Sequence, residues 1–140
     1  MSAQILVIED DEDLRIEIVE FLAGCHHGSI GCATLAEAAA ALETMTPDAV
    51  ISEIALPDGD GINFCMNTAA RFPSAIWLLM SGNADLLRLG NQLKGIDGEK
   101  PRFAIVEKPV PLRFLDRFVS GVGVVHEPKG PNVTLAAASS

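Results

Sequence analysis

The segment 48–61 constrains the fold of this chain more than any other stretch. It reads DAVISEIALPDGDG, an apolar run that reaches a carboxylate at Glu53 and ends in a turn rich in proline, glycine and aspartate. A continuous apolar run closed by turn formers predicts a strand buried on both faces, as in a parallel sheet. Glu53 is therefore expected at the carboxyl end of this strand, where open parallel sheets place their functional residues.

Four other short segments are rich in apolar or β-branched residues and also predict strands, namely 5–8, 29–33, 75–80 and 103–106. Segments with apolar residues at helical spacing lie between and after them, over about 14–24, 35–46, 63–71, 85–94 and 112–119. Five strands that alternate with five helices predict an α/β fold, with a parallel sheet covered by helices on both faces.

Capping residues mark two of the helix starts. Thr34 followed by Glu37 matches a capping box. The acidic run 9–13 precedes the first helix, so one of Asp10, Asp11 and Asp13 is expected to cap it. Capping explains the second half of this run well, but Glu9 and Asp10 still lie at the end of the first strand.

Length and composition limit the class of protein. A chain of 140 residues is about one domain, and we predict a folded domain over 1–119 and a flexible tail or linker over 120–140. The net charge of −9 argues against a nucleic-acid surface, and no apolar run is long enough to cross a membrane. The absence of a signal-type start and the odd count of three cysteines predict a reduced, cytoplasmic protein.

Chemically capable side chains follow four of the five predicted strands: Glu9 and Asp10, then Glu53, Ser81 and Lys108. The carboxyl ends of parallel strands meet at one edge, so these side chains are expected to converge there. Two carboxylates ~5 Å apart repel by roughly 3 kcal/mol at an effective dielectric of about 20, so the group needs cations. Lys108 supplies one charge, and Mg²⁺ suits oxygen ligands. Such a site is typical of phosphoryl transfer to an oxygen atom.

These motifs together resemble the receiver domain of two-component response regulators. The resemblance rests on ILVIEDD at 5–11, EIALPDGDG at 53–61, MSG at 80–82 and EKP at 107–109, and it extends to about Val119. It implies a flavodoxin-like, doubly wound sheet of strand order 2-1-3-4-5. It also implies a module that acts through protein partners, a sensor histidine kinase or phosphotransfer protein and a downstream effector, rather than an enzyme.

The resemblance further implies a role for each residue of the predicted site. Glu9 and Asp10 match the metal-binding acid pair, and the backbone carbonyl of Ala55 would complete a Mg²⁺ site with Glu53. Ser81 matches the hydroxyl residue that contacts the phosphoryl group. Lys108 matches the lysine that pairs with that group, and its bond to the following proline would be cis, as proline permits.

Three features of the sequence depart from the family pattern. Glu53 stands where the family has the phosphoacceptor aspartate, and its extra methylene moves the carboxylate by ~1.5 Å. Ile105 stands where the family usually has an aromatic switch residue, with Phe103 on the same face of the strand. The segment between Ser81 and Lys108 is also longer than usual, with its surplus in 95–102.

We therefore predict a receiver module in which Glu53 either mimics the phosphorylated state or prevents phosphorylation, with Mg²⁺ binding weakened or absent if Glu53 pairs with Lys108. One alternative is an ordinary receiver whose aspartate was replaced by Glu53. Another is a Mg²⁺-dependent phosphatase or phosphotransferase, but such an enzyme needs a nucleophilic aspartate and a second acid two residues later, where Ala55 stands.

His26 and His27 are predicted to lie exposed in a loop.

Overall fold

The computed structural model describes residues 3–82, 102–121 and 134–135, and these form an α/β fold around one main sheet. The strands of this sheet are β1 Gln4–Ile8, β2 Gly28–Cys32, β3 Ala49–Glu53, β6 Ile76–Ser81, β7 Arg102–Glu107 and β8 Thr134–Leu135. A small hairpin contains β4 Ala55–Leu56 and β5 Gly59–Asp60. The helices are α1 Glu12–Gly24, α2 Leu35–Ala41, α3 Gly61–Thr68 with a 3₁₀ turn over Ala69–Arg71, and α4 Leu112–Ser120.

Five strands of the main sheet are parallel and follow the order β2-β1-β3-β6-β7. This order confirms the predicted doubly wound, flavodoxin-like arrangement. The strand order reverses between β1 and β3, so the carboxyl ends of these two strands flank the switch point at which such sheets bind ligands. In the register, Ile8 lies beside Ser52, and Glu53 lies beside Met80.

Alternation along the strands divides the apolar core into two layers. Val7, Ile51 and Met80 pack with α1 and α4 on one face, whereas Ile8, Val50 and Leu79 pack with α2 and α3 on the other. Strand β3 is buried at every position, as the continuous apolar run predicts. Phe114 and Phe118 of α4 are both buried.

The structure selects among the predicted caps. Asp11 accepts the hydrogen bond from the backbone N–H of Leu14 and is the N-cap of α1. Thr34 caps α2 through the N–H of Glu37, while the Glu37 carboxylate reaches back to the N–H of Ala33, one residue before the cap. The capping box is therefore confirmed in one direction and displaced by one residue in the other.

Helix α2 is shorter than predicted and ends at Ala41 instead of about Thr46. The chain tightens after Ala41, because the N–H groups of Glu43 and Thr44 bond to carbonyls three residues earlier. The Thr44 hydroxyl also donates to the Ala41 carbonyl, a local bond that competes with helix propagation. Helical spacing in an alanine-rich segment did not reveal this ending.

The prediction that both histidines are exposed is wrong for one of them. His26 is exposed and has a positive φ of 69°, whereas His27 is buried with only 6 % of its surface accessible. The backbone N–H of Ala3 donates to His27 Nδ1 at 3.1 Å, and His27 Nε2 lies 3.0 Å from Asp116 Oδ1. Contacts with residues distant in sequence bury this ring.

Two predicted features fall wholly or mainly outside the described residues: the helix over 85–94 and the longer segment over 95–102, of which only Arg102 is described, as the first residue of β7. The predicted tail begins in the last turn of α4 and includes β8, which pairs antiparallel to β7. That strand was not expected from the composition of 120–140. The division of the chain at 119 and 120 stays a prediction.

Candidate functional site

The predicted site residues lie along the carboxyl edge of the sheet. Glu9 directly follows β1, Glu53 ends β3, and Ser81 ends β6. Lys108 follows β7, and its backbone N–H donates to the carbonyl of Ser81 at 2.9 Å. The strand topology therefore brings together residues separated by up to 99 positions in sequence.

Lys108 lies between two buried carboxylates. Its Nζ donates to Glu53 Oε1 at 2.5 Å and to Glu9 Oε1 at 3.0 Å. The Glu9 and Glu53 side chains are 1 % and 9 % exposed, and that of Lys108 is 24 % exposed. These are charge-assisted hydrogen bonds in a largely water-free place, where they are stronger than at a surface.

The other oxygen of each carboxylate binds backbone amides. Glu53 Oε2 accepts from the N–H of Ile54 at 3.0 Å and from the N–H of Ala55 at 3.2 Å. Glu9 Oε2 accepts from the N–H of Asp11 at 3.1 Å. Both carboxylates are thus bonded through both oxygens, as buried charged groups require.

These contacts shift two pKa values. Burial lowers the pKa of Lys108, but the hydrogen bonds and negative charges of Glu53 and Glu9 outweigh it, so the pKa of Lys108 is raised. Burial raises the pKa of Glu9 most strongly, and the nearby charge of Glu53 adds to this. The amide of Asp11 and the ammonium of Lys108 offset part of the increase in the pKa of Glu9.

The loop after Glu53 is held by tight packing at Gly61. The Gly61 N–H donates to the carbonyl of Ile54 at 2.8 Å, and a Cβ at Gly61 would collide with the carbonyl oxygen of Glu53. The Ser52 hydroxyl donates to that same oxygen at 2.9 Å. Glycine is needed here because the backbone approaches the end of β3 too closely for any side chain.

Two contacts around the site were not predicted from the sequence. Asp58, interpreted only as a turn residue, accepts from the N–H groups of Leu35 and Ala36 and so joins the hairpin tip to the start of α2. These amides lower the pKa of Asp58. Arg15 of α1 donates to the backbone carbonyl of Glu9 at 2.8 Å. The only sequence signals are weak ones, an aspartate in a turn for the first contact and an arginine near the start of a helix for the second.

The remaining predicted residues lie around this centre rather than in it. Asp10 is exposed, and Ala55, also exposed, meets Glu53 through its N–H. Ser81 is fully buried. Ile105 is buried in the core layer of α2 and α3 together with Phe103, as the alternation predicted. The Lys108–Pro109 peptide bond is cis.

The acidic donors have the right chemistry for Mg²⁺, but their arrangement in the structure does not fit the ion. The oxygens of Glu9 and Glu53 face the Lys108 ammonium or backbone N–H groups, and Asp10 is exposed. Among residues 3–82 and 102–121, no three acidic, histidine or cysteine side chains are placed to share a metal. A metal ion would have to displace the lysine.

A cavity of about 350 Å³ opens beside Lys108 between α1 and α4. Leu14 and Ile18 of α1 and Leu112 and Leu115 of α4 line it. The lysine therefore has apolar neighbours on one side and carboxylates on the other, in agreement with burial being the strongest single influence on its pKa.

A doubly wound parallel sheet with acids and a lysine at its carboxyl edge defines a flavodoxin-like α/β domain. The family model described as the response regulator receiver domain matches residues 5–111, more than half of the sequence. The chain therefore belongs to the response regulator receiver family. Receiver domains are signalling modules of two-component systems rather than enzymes. They interact with histidine kinases or phosphotransfer proteins and with effectors, and they typically bind Mg²⁺ at the phosphorylation site.

Several solved structures have the same fold. A two-component response regulator from Clostridium difficile is 24 % identical, with a TM-score of 0.70 over 85 % of this chain and 93 % of that chain. The non-phosphorylated HemR receiver domain from Leptospira biflexa is also 24 % identical, with a TM-score of 0.68 over 89 % of this chain and 97 % of that chain. A response regulator receiver domain protein from Clostridium thermocellum is 20 % identical, with a TM-score of 0.72 over 86 % of this chain and 93 % of that chain.

The search of curated protein sequences gives no significant match. No helix in the described part of the chain is long and apolar enough to cross a membrane.

Proposed function

We propose that this chain is a receiver module whose signalling state does not depend on phosphorylation, because Glu53 occupies the phosphoacceptor position. The observation that carries the proposal is the short contact between Glu53 Oε1 and Lys108 Nζ, at 2.5 Å. In this view, the glutamate already gives the lysine the negative partner that a phosphoryl group would supply in an ordinary receiver.

The surroundings of Glu53 support a poor phosphoacceptor. Both of its oxygens are hydrogen-bonded, and its side chain is 9 % exposed. A nucleophile needs an available lone pair and room for the attacked group, and a carboxylate bound on both oxygens lacks both. The extra methylene of glutamate is what extends the carboxylate as far as Lys108.

The decisive experiment is incubation with acetyl phosphate and Mg²⁺, followed by intact-mass measurement. We expect no acyl phosphate on the native chain. Uptake by Glu53→Asp would show that the remaining site is competent and that the glutamate alone blocks the reaction. An acyl phosphate on Glu53 itself would refute the proposal, and refusal by both proteins would favour a domain that has lost phosphorylation altogether.

Mimicry of the phosphorylated state and simple silencing can be separated by NMR. We expect the backbone amide shifts of Ser81 and Ile105 in the native chain to resemble those of Glu53→Asp with beryllofluoride. Ser81 lies directly after Met80, the register partner of Glu53, so its amide senses the acceptor side chain. Shifts that match Glu53→Asp without beryllofluoride would instead support silencing.

We infer that Mg²⁺ binds weakly to the native chain. The resemblance to the receiver family implies Glu9, Asp10, Glu53 and the carbonyl of Ala55 as ligands, but two of these carboxylates are bound to Lys108 instead. Calorimetric titration should give a weaker Mg²⁺ affinity for the native chain than for Glu53→Asp, whose shorter side chain reaches less far toward the lysine. Equal affinities would contradict this inference.

The partners we propose are a histidine kinase or phosphotransfer protein and a downstream effector, contacted through the protein surface. The rival class, a Mg²⁺-dependent phosphatase or phosphotransferase, predicts turnover of aryl phosphates. We expect none, because Glu53 is the carboxylate at the strand end and Lys108 holds it in place. The other rival, an aspartate receiver altered to carry Glu53, predicts full phosphorylation of Glu53→Asp, whereas refusal of phosphate by Glu53→Asp favours a receiver that is independent of phosphorylation.

A further inference from the structure

The outer edge of β7 is the feature that the receiver assignment leaves unexplained. Strand β7 is the last of the five parallel strands, and β8 pairs with it on the side away from β6. The pairing is antiparallel and covers two positions, Ala104 with Leu135 and Ile105 with Thr134. By contrast, six residues of β7 have register partners on β6.

The direction of the backbone groups shows which residue of β7 faces outward. In a strand, successive residues direct their N–H and C=O groups to opposite sides. The N–H of Lys108 donates to Ser81 of β6, so Lys108, Val106 and Ala104 face β6. Ile105 and Phe103 therefore direct their backbone groups to the outer edge.

It follows that Ile105 and Thr134 form the hydrogen-bonded pair of this short ladder. In an antiparallel pair, opposed residues that face each other exchange two hydrogen bonds, and the next pair exchanges none. Thr134 thus supplies an N–H and a C=O to Ile105, while Leu135 directs its own N–H away from β7. In the described part of the chain, the register of β8 does not extend to Phe103.

We propose that the outer edge of β7 is a strand-binding site for an extended antiparallel peptide, with the chain's own Thr134–Leu135 as its resident ligand. An uncovered strand edge is a template for pairing with another segment, and main-chain hydrogen bonds supply the affinity of such complexes.

Hydrogen exchange tests the site in the chain of 140 residues. The amide of Ile105 is protected by β8, whereas the amides of Ala104 and Val106 are protected by β6 and report whether the domain is folded. Thr134→Pro removes the N–H that β7 accepts, and we expect exchange at Ile105 to accelerate about tenfold, as for the loss of one or two backbone hydrogen bonds. Ala104 and Val106 should not change.

Leu135→Pro is the matched control. Its N–H points away from β7, so proline there removes no ladder bond and exchange at Ile105 should stay within about twofold of the native rate. Equal effects of the two prolines would overturn the proposal, as would rapid exchange of Ile105 in the native chain.

A peptide supplies the positive test. The probe is a synthetic peptide with the sequence of residues 132–137, NVTLAA, added to the Thr134→Pro variant, in which the tethered segment no longer competes. We expect it to restore protection of Ile105, and the same peptide with proline in place of threonine should not. If neither peptide protects Ile105, the edge is not a strand-binding site.

Sedimentation velocity distinguishes a tether within one chain from exchange between two chains. We expect the native chain to sediment as a monomer with Ile105 protected at every concentration. Protection that appears only together with a dimer would assign the strand on β7 to a second copy and overturn the assignment of the resident ligand.

Discussion

The ammonium group of Lys108 compensates the two buried carboxylates at the carboxyl edge of this sheet. Glu9 and Glu53 are almost completely buried, and Lys108 donates to both. Taking two carboxylates out of water is costly, and their mutual repulsion adds to that cost. The lysine offsets both terms, which is why its neighbours raise its pKa even though burial alone would lower it.

Lys108→Met should destabilise the protein by about 3 kcal/mol, because removing one partner leaves buried charge uncompensated. The measurement is the free energy of unfolding in urea at neutral pH. Arg113→Met is the control, since Arg113 is an exposed cation on α4, and this change should have little effect. Equal losses in the two variants would show that net charge, rather than the buried contact, matters.

The pH dependence of stability should carry the signature of Lys108. Its pKa is raised above the ordinary 10.5, so the folded protein holds this proton more tightly than the unfolded chain does. The stabilisation is fully present below pH 10.5 and is lost as the pH rises through the folded value. The difference in unfolding free energy between the native chain and Lys108→Met should therefore shrink above pH 10.5. A constant difference would contradict the raised pKa.

Among the secondary-structure elements, β3 and the hairpin after it decide the shape of the site. Strand β3 carries Glu53 to the edge, and the hairpin returns the chain so closely that Gly61 touches the end of β3. Asp58 ties the hairpin tip to α2, and Asp60 caps α3 through the N–H groups of Ile62 and Asn63. A short apolar strand and a turn motif are therefore parts of one packed unit.

Gly61→Ala should cost roughly 1 to 3 kcal/mol, the usual range for overpacking, because its Cβ would collide with the Glu53 carbonyl. Urea unfolding measures the loss. Gly24→Ala, at the end of α1 where a Cβ meets nothing within 4 Å, is the matched control and should be neutral or slightly stabilising. A tolerated Gly61→Ala would mean that the loop can move away from Glu53.

At the scale of the whole molecule, His27 connects the segment before β1, the start of β2 and helix α4. This contact lies at the amino ends of the strands, on the opposite side of the sheet from the candidate site. His27 Nδ1 accepts from the backbone N–H of Ala3, before β1, so Nε2 must carry the proton that it donates to Asp116 of α4. Ser120 donates to the same carboxylate, and Cys25 lies against it. Burial and the negative charge of Asp116 raise the pKa of the Cys25 thiol.

His27→Ala should destabilise the protein by about 1 to 3 kcal/mol, since it leaves a buried backbone N–H and a carboxylate without their partner. Thermal or urea unfolding measures this, and ¹⁵N NMR of the native chain at neutral pH should show the tautomer protonated at Nε2. His26→Asn is the control, because His26 is exposed and asparagine tolerates its positive φ. A tautomer protonated at Nδ1 would rule out the contact with Ala3.

In the described part of the chain, local pattern was enough to predict the order of the five parallel strands and of four helices, the burial of β3 and the placement of Glu9, Glu53, Ser81 and Lys108 at strand ends. These features follow from side-chain periodicity and turn formers, which act over a few residues. The same logic placed Phe103 and Ile105 on one face.

Only the tertiary structure decided which groups meet. The contacts of Lys108 with Glu53 and Glu9 span 55 and 99 residues, and the contact of His27 with Asp116 spans 89. The burial of His27 and the pairing of β8 with β7 also depend on packing geometry rather than on local preference. Sequence alone places a carboxylate at the end of β3, but the approach of Lys108 from β7 gives that carboxylate its partner, because burial makes the charges pair.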